Sequence, residues 1–365
     1  MCSPAVASAK PNGPLMSDLF PAPALLSIVC PCFNEEGGLA EFVRRIGKVL
    51  GPLGQPYEIV FVNDGSTDGT LAAMYDLAET ERNLTIVNLS RNFGKEVALT
   101  AGLCHATGDA IVVIDADLQD PPELIPSFLQ RYRDGFDVVF GRRSERQGDS
   151  WLKKVTAWGF YRLMRKLGPV PLPENVGDFR LMSRRSVDAL LRLPEAHRFM
   201  KGLFAWVGFR SASVDYVREP RFSGKTKWKY GQLLNLSIEG ITSFTTVPLR
   251  LTTYLGFAIA LTTFVWGAFL FLRTLLFGNE VQGFPTLILT ILLLGGAQLM
   301  ALGVIGEYLG RVFNETKRRP LFLIDTIHWS QAGAARRPDT GAAFIFGIPP
   351  QFPESQTVRP PAPKD

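Results

Sequence analysis

Two long stretches without a charged side chain, residues 251–272 and 281–306, sit late in this chain, with Arg273 and Glu280 in the short segment between them. A run of about 20 apolar residues spans the hydrocarbon core of a bilayer as a helix. The pair therefore reads as a transmembrane hairpin, with buried core helices as the alternative. Arg250 precedes the first run, and Arg311, Lys317, Arg318 and Arg319 follow the second. Lysine and arginine concentrate on the cytoplasmic side of a membrane, so both flanks, and the region before them, are expected in the cytosol.

The rest of the 365 residues leaves room for one large or two small domains. Residues 1–24 contain Pro4, Pro11, Pro14, Pro21 and Pro23 and no continuous apolar stretch of the signal-peptide kind, so they read as a disordered lead-in. After about Ser330 a proline-rich tail is likewise a poor candidate for packing. The four cysteines, Cys2, Cys30, Cys32 and Cys104, show no Cys-x-x-Cys spacing and fit a reducing compartment. Three widely separated histidines, His105, His197 and His328, argue against a histidine-ligated metal and most histidine triads. Chemistry here must run on carboxylates and cations.

From residue 25 onward short apolar or β-branched runs (26–30, 57–62, 85–89, 110–114 and 137–140) alternate with helical segments (36–50, 68–80, 95–107 and 122–133). That alternation predicts an α/β fold with a mostly parallel sheet covered by helices on both faces. Ligands bind such sheets at the carboxyl ends of the strands, and the polar clusters fall there: Asn34-Glu35-Glu36, then Asn63 to Asp68, then Ser90 to Lys95, then Asp115 to Asp120.

The last cluster is the most informative. Asp115, Asp117, Gln119 and Asp120 follow an apolar strand and precede Pro121-Pro122. Carboxylates and an amide oxygen suit a hard divalent cation whose shell is completed by phosphate oxygens. For Asp115 and Asp117 alone, capping of the following helix is the competing reading; for Asp64 and Asp68 it is an Asx-turn with a helix cap. No Gly-x-Gly-x-x-Gly follows a strand, which removes the main support for a nicotinamide or flavin site. Gly224-Lys225-Thr226 lacks the upstream glycine of a P-loop, Glu219 standing in its place.

Together, Pro31-Cys32-Phe33-Asn34-Glu35-Glu36, Val62 to Asp68, Asn92-Phe93-Gly94-Lys95 and Asp115 to Pro122 resemble the family-2 glycosyltransferases of the GT-A fold. Within these the likeness is to the polyprenyl-phosphate hexosyltransferases, a group that includes dolichyl-phosphate mannose synthase and undecaprenyl-phosphate glucosyltransferases. It runs from Leu25 to about Arg319 and takes in Gly306-Glu307-Tyr308-Leu309-Gly310-Arg311. The resemblance implies a nucleotide-sugar donor whose base and ribose lie against Pro31, Asn34, Glu36 and Asp64, Asp64 accepting a hydrogen bond from the base. It implies Mg2+ or Mn2+ on Asp115, Asp117 and Gln119, Asp115 also serving the diphosphate, and Asp117 and Asp178 as the catalytic carboxylates.

On the acceptor side the resemblance places Arg143, Arg146, Arg221 and Lys227 around a lipid phosphate, where guanidinium groups bind oxygens in pairs. Attraction to anionic lipid heads is the second reading of these basic residues. Lys225 departs from the family, whose members commonly carry an acid there. Asp178, in Gly177-Asp178-Phe179-Arg180-Leu181-Met182, faces the reacting centre by resemblance, as a base, as an orienting group, or as a structural partner of Arg180 or Arg184. Residues 151–167 interleave aromatic and basic positions as an interfacial helix does, a packed surface helix being the alternative.

The expected organisation is a lead-in at 1–24, a GT-A catalytic domain at 25–227, an interfacial helix at 228–249, two transmembrane helices at 250–310, and a basic flank and proline-rich tail at 311–365. The expected activity is inverting transfer of a hexose, UDP-glucose favoured, to polyprenyl (undecaprenyl) phosphate at a bacterial inner membrane, with a cytoplasmic catalytic domain. No nucleic-acid partner is expected, and the resemblance allows a homo-oligomer, such as a tetramer. A processive polysaccharide synthase is the nearest rival, but its Gln-x-x-Arg-Trp segment is absent. A non-catalytic membrane protein that binds nucleotide sugar is the other.

Overall fold

A computed structural model describes residues 21–144, 176–193, 195, 198, 200–219, 247–277, 284–317 and 319–330. The chain begins with three strand–helix units: β1 (Leu26–Cys32) and α1 (Leu39–Leu50), β2 (Tyr57–Asn63) and α2 (Thr70–Thr80), β3 (Leu84–Leu89) and α3 (Lys95–His105). Next come β4 (Ala110–Val113), α4 (Ile125–Arg133), β5 (Val138–Arg143), β6 (Val176–Ser183), α5 (Arg184–Leu191), α6 (Met200–Trp206) and β7 (Ser211–Tyr216). Two long helices, α7 (Val247–Phe277) and α8 (Phe284–Thr316), precede a last strand, β8 (Ile324–His328).

The eight strands among the described residues form one sheet in the order β7-β5-β6-β4-β1-β2-β3-β8. β1 pairs in parallel with both β2 and β4, so the winding direction reverses between β1 and β4. A crevice opens where the crossovers leave in opposite directions, and this reversal sets the loop after β1 beside the loop after β4. The fold matches the expected α/β class, with three strands the sequence reading did not assign. β6 carries Gly177, Asp178 and Arg180 and runs antiparallel to β4 and β5. β7 and β8 are edge strands with exposed polar positions, so they lack a continuous apolar run. β5 also extends through Arg142 and Arg143, which pair with Asp215 and Tyr216, so both arginines lie in the strand and not after it.

Alternate residues of each inner strand feed two cores. Leu26, Ile28 and Cys30 pack with Phe42, Ile46 and Phe128 from α1 and α4, whereas Val29, Val60 and Val62 pack with Ala98 and Leu99 from α3. Strands buried on both faces read as unbroken apolar runs, which is why β1 to β4 were visible in the sequence. Helix α3 lies so close to the sheet that a Cβ at Gly102 would stand 2.4 Å from Val29 Cγ1 and 3.0 Å from Val62 Cγ2.

Helices α7 and α8 are long and apolar enough to cross a membrane, with candidate spans Leu251–Phe269 and Leu293–Thr316 at mean hydropathies of 1.4 and 1.3. Neither window is buried against the rest of the protein, which disfavours the core-helix alternative. The chain then returns to the sheet: β8 pairs antiparallel with β3, and Phe322 and Ser330 are buried. Residues 228–246 lie outside the described residues, as does most of the segment expected as an interfacial helix.

Gly102→Val should destabilise the protein by about 1–3 kcal/mol through overpacking against Val29 and Val62. The measurement is the thermal midpoint of the detergent-purified chain, and trimming Val29 to Ala in the same molecule should recover part of the loss.

Candidate active site

Three strand ends are laced together before any ligand is considered. Asn34 takes a left-handed backbone, φ 56°, which asparagine tolerates better than most residues. In that conformation its amide donates to Ser66 Oγ at 3.0 Å, and its Oδ1 accepts the Thr67 amide at 2.8 Å. Glu36 Oε2 accepts the Gly69 amide at 3.1 Å, and the Glu35 amide donates to Thr70 Oγ1 at 2.9 Å. These bonds delay the first helix, so α1 starts at Leu39 and not at the expected residue 36. Asp68 Oδ1 accepts the Thr70 amide at 3.1 Å, the Asx-turn expected of it, while the cap position of α2 itself is Gly69.

Asp64 performs the same lacing one strand over. Its two carboxylate oxygens accept the amides of Phe93 at 2.7 Å and Gly94 at 3.0 Å. Burial raises its pKa, and the two amides work against that rise. Gly65, with φ 61°, lies beneath the third loop, where a Cβ would meet the Arg91 and Asn92 backbone at 2.4 Å. Asp64 is thus tied across to the loop after β3 and not into the local Asx-turn with a helix cap that was its competing reading, and a base would have to use the lone pairs these amides leave.

The β4 end is strained as well as acidic. Leu118 is buried with φ 55°, a conformation that costs a non-glycine residue about 1–3 kcal/mol. It sits between Asp117, whose Oδ1 accepts the Gln119 amide at 3.1 Å, and Gln119, whose Oε1 meets Arg218. Asp120 is buried, accepts from the Tyr216 hydroxyl and has Arg143 Nη2 3.6 Å away. Arg143 Nε donates to the same hydroxyl at 3.2 Å.

Lys95, the first residue of α3, joins β4 to β6. Its Nζ lies 2.8 Å from Asp115 Oδ2 and 2.6 Å from Asp178 Oδ2. Partial desolvation lowers its pKa, but the two carboxylates outweigh this and hold it well above the usual lysine range. Burial likewise opposes charge on Asp178; Lys95, then Lys201, overcome it and keep the acid far below the usual carboxylate range. Glu96 is pushed up to about 8, first by burial and then by the charge of Asp178. Asp178 Oδ1 is buried without a hydrogen-bond partner in this structure. Its ion pair is with Lys95, while Arg180 donates to the carbonyl oxygens of Gly177 and Asp178 and Arg184 to those of Ala106 and Gly108.

The structure therefore gathers Asn34, Glu36 and Asp64 at the ends of β1 and β2, and Asp115, Asp117, Gln119 and Asp178 around the end of β4. Pro31 lies in β1, half-buried. Arg143 approaches through Asp120 and Tyr216. Arg146, Arg221, Lys227 and the helix expected at 151–167 lie outside the described residues. Sequence reasoning gave no role to Lys95, Lys201, Tyr216 or Arg218. Of these only Lys95 left a signal, its place in a polar cluster directly after a strand.

The donor chemistry at β4 suits a divalent cation: two carboxylates and an amide oxygen, all hard ligands. Among the described residues no three His, Cys, Asp or Glu side chains form a metal-holding group. A cation there would share its shell with phosphate oxygens, as Mg2+ does in nucleotide sites.

Residues 27–191 match the glycosyl transferase family 2 profile. An uncharacterized glycosyltransferase of Synechocystis sp. is 51% identical over 302 residues, covering 83% of this chain and 95% of that one. The chain belongs to glycosyl transferase family 2. Other relatives include the prophage bactoprenol glucosyl transferase homolog of Escherichia coli (strain K12), 46% identical over 302 residues, with 83% and 99% of the two chains covered. The bactoprenol glucosyl transferase of Shigella phage SfV is 46% identical over 299 residues, covering 82% and 97%. The protein is thus a glycosyltransferase, and its sheet and helices are a GT-A domain followed by two apolar helices.

Lys95→Ala should lower the rate of sugar transfer by about 10²–10³-fold, the range for losing one preorganised hydrogen-bond donor in an active site. Single-turnover kinetics on the folded variant check it, and Lys95→Arg should fall between the variant and the parent enzyme.

Proposed function

We propose that the enzyme transfers a hexose, with UDP-glucose the favoured donor, to polyprenyl (undecaprenyl) phosphate at the cytosolic face of a bacterial inner membrane. The observation that carries this reading is the Asp115–Lys95–Asp178 bridge, which sets a charged cleft at the carboxyl ends of β1 and β4. The bactoprenol glucosyl transferases among its relatives support the acceptor and the sugar. The return of the chain to β8 supports a hairpin anchor, because the catalytic sheet then lies on one side of the bilayer.

In this reading the base and ribose of the donor rest against Pro31, Asn34, Glu36 and Asp64, whose loops are already tied to one another. Asp115, Asp117 and Gln119 would hold Mg2+ or Mn2+, which would supply the positive charge that offsets the charge of the departing nucleoside diphosphate. A phosphate oxygen of the lipid forms the new bond to the anomeric carbon as the bond to the diphosphate breaks on the opposite face. An α-linked donor therefore gives a β-linked product. The lipid phosphate is already anionic near neutral pH, so no proton has to be removed from it.

Asp178 then orients and does not act as a base, its charge balanced by Lys95 so that a second anion is tolerated nearby. Arg143 supplies positive charge from the β5 side, and Arg146, Arg221 and Lys227 complete the acceptor site. Positioning and electrostatic stabilisation carry the catalysis.

The purified protein supplied with Mg2+ or Mn2+ should move radiolabel from UDP-glucose to undecaprenyl phosphate, and chelation should stop it. Asp117→Ala should abolish transfer while circular dichroism and the thermal midpoint remain those of the parent. Undiminished transfer by that variant, or label on a growing glycan, would overturn the reading. A parallel screen of other nucleotide sugars tests the choice of glucose.

A further inference from the structure

The strand that follows the apolar helices is wired to the loop read above as the donor site. Asp325, on β8, accepts from Asn88 Nδ2 at 3.0 Å. Asn88 Oδ1 accepts from Asn63 Nδ2 at 2.8 Å, across the register where these two residues stand opposite each other on β3 and β2. Asn63 Oδ1 accepts the Ser66 amide at 3.2 Å, and Ser66 Oγ accepts the Asn34 amide at 3.0 Å. Four hydrogen bonds thus run without a gap from one edge of the sheet to the loop after β1.

The direction of this relay matters more than its length. An asparagine side chain offers an oxygen at one end and an NH2 at the other, and nothing in the amide itself decides which way it points. An ionised carboxylate only accepts, so Asp325 obliges Asn88 to present its NH2 outward and its oxygen to Asn63. Asn63 must then turn its own oxygen to the loop, where the Ser66 amide needs an acceptor. Reversing either amide would set two donors or two acceptors against each other, and Asn63 and Asn88 are both buried, where such a mismatch is costly.

We propose that Asp325 is a positioning residue for the nucleotide half of the substrate, acting through Asn88 and Asn63 to hold Ser66 and Asn34 in place. The inference rests on the donor-site reading of Asn34 and its neighbours. It makes the segment after the apolar helices part of the donor site, although Asp325 lies on the far edge strand.

Three full-length variants in detergent test it: Asp325→Ala, Asp325→Asn and Thr326→Ala, the last on the same strand and bonded to Tyr75 but outside the relay. Asp325→Ala should raise KM for the nucleotide sugar, and the Kd for UDP with Mg2+, by about 3- to 10-fold, the range for one lost hydrogen bond. KM for undecaprenyl phosphate and kcat should stay within about twofold of the parent. Asp325→Asn, which keeps an acceptor oxygen, should recover part of the affinity, and Thr326→Ala should change neither constant.

Amide hydrogen exchange separates the relay from the donor reading. Asp325→Ala should speed exchange at Ser66 and Asn34, and Thr326→Ala should not. Unchanged exchange at these amides overturns the relay. Faster exchange with an unchanged KM and Kd overturns its link to the nucleotide. A parent protein that binds neither UDP nor GDP overturns the donor-site reading and the proposal with it.

Discussion

Asp115 and Asp178 leave β4 and β6, neighbouring strands of opposite direction, and two carboxylates brought to one ammonium group would repel each other without it. Lys95 resolves the conflict from the first turn of α3, where the buried Asp64 clamp on Phe93 and Gly94 fixes the entry of the helix. The position of the lysine thus depends on the end of β2, and the carboxylates it joins belong to β4 and β6. One cation makes several strand ends into a single cleft. Like charges that would scatter the loops become the reason that the loops converge.

Around that cleft, rigidity comes from polar lacing and not from apolar packing. The loops after β1, β2 and β3 are bonded through Asn34, Glu36, Asp64 and Ser66. The turn after β4 carries a buried leucine in a left-handed conformation. Side chains held in this way lose little further freedom when a ligand arrives, so a larger share of the contact energy remains for binding and orientation. The two apolar cores beneath the loops supply the platform, and the tight seat of Gly102 on Val29 and Val62 sets how closely α3, and therefore Lys95, approaches the sheet.

The inner strands were legible because β1 to β4 are buried on both faces and their sequences are nearly unbroken apolar runs. The clusters at their ends were legible because Asp115, Asp117 and Gln119 follow one another in sequence. β6 was quoted only as a motif, since Asp178 and Arg180 break its apolar pattern and the buried Arg180 is satisfied by main-chain carbonyls no sequence rule anticipates. β7 and β8 are edges with exposed polar positions, and β8 follows a helix and not a recognisable strand signal. Lys95 stood within a motif, but its partners come from positions 20 and 83 residues away along the chain (115 − 95 and 178 − 95). Such a meeting is a property of topology and not of local spacing.

The pairing of β8 with β3 also sets an order of assembly. β3 is made early, yet its outer neighbour emerges only after both apolar helices have been synthesised. Until then one flank of the sheet presents unpaired backbone groups, a surface that attracts other strands. The sheet therefore stays open along β3 until both apolar helices have been made, and pairing with β8 is the step that closes that flank.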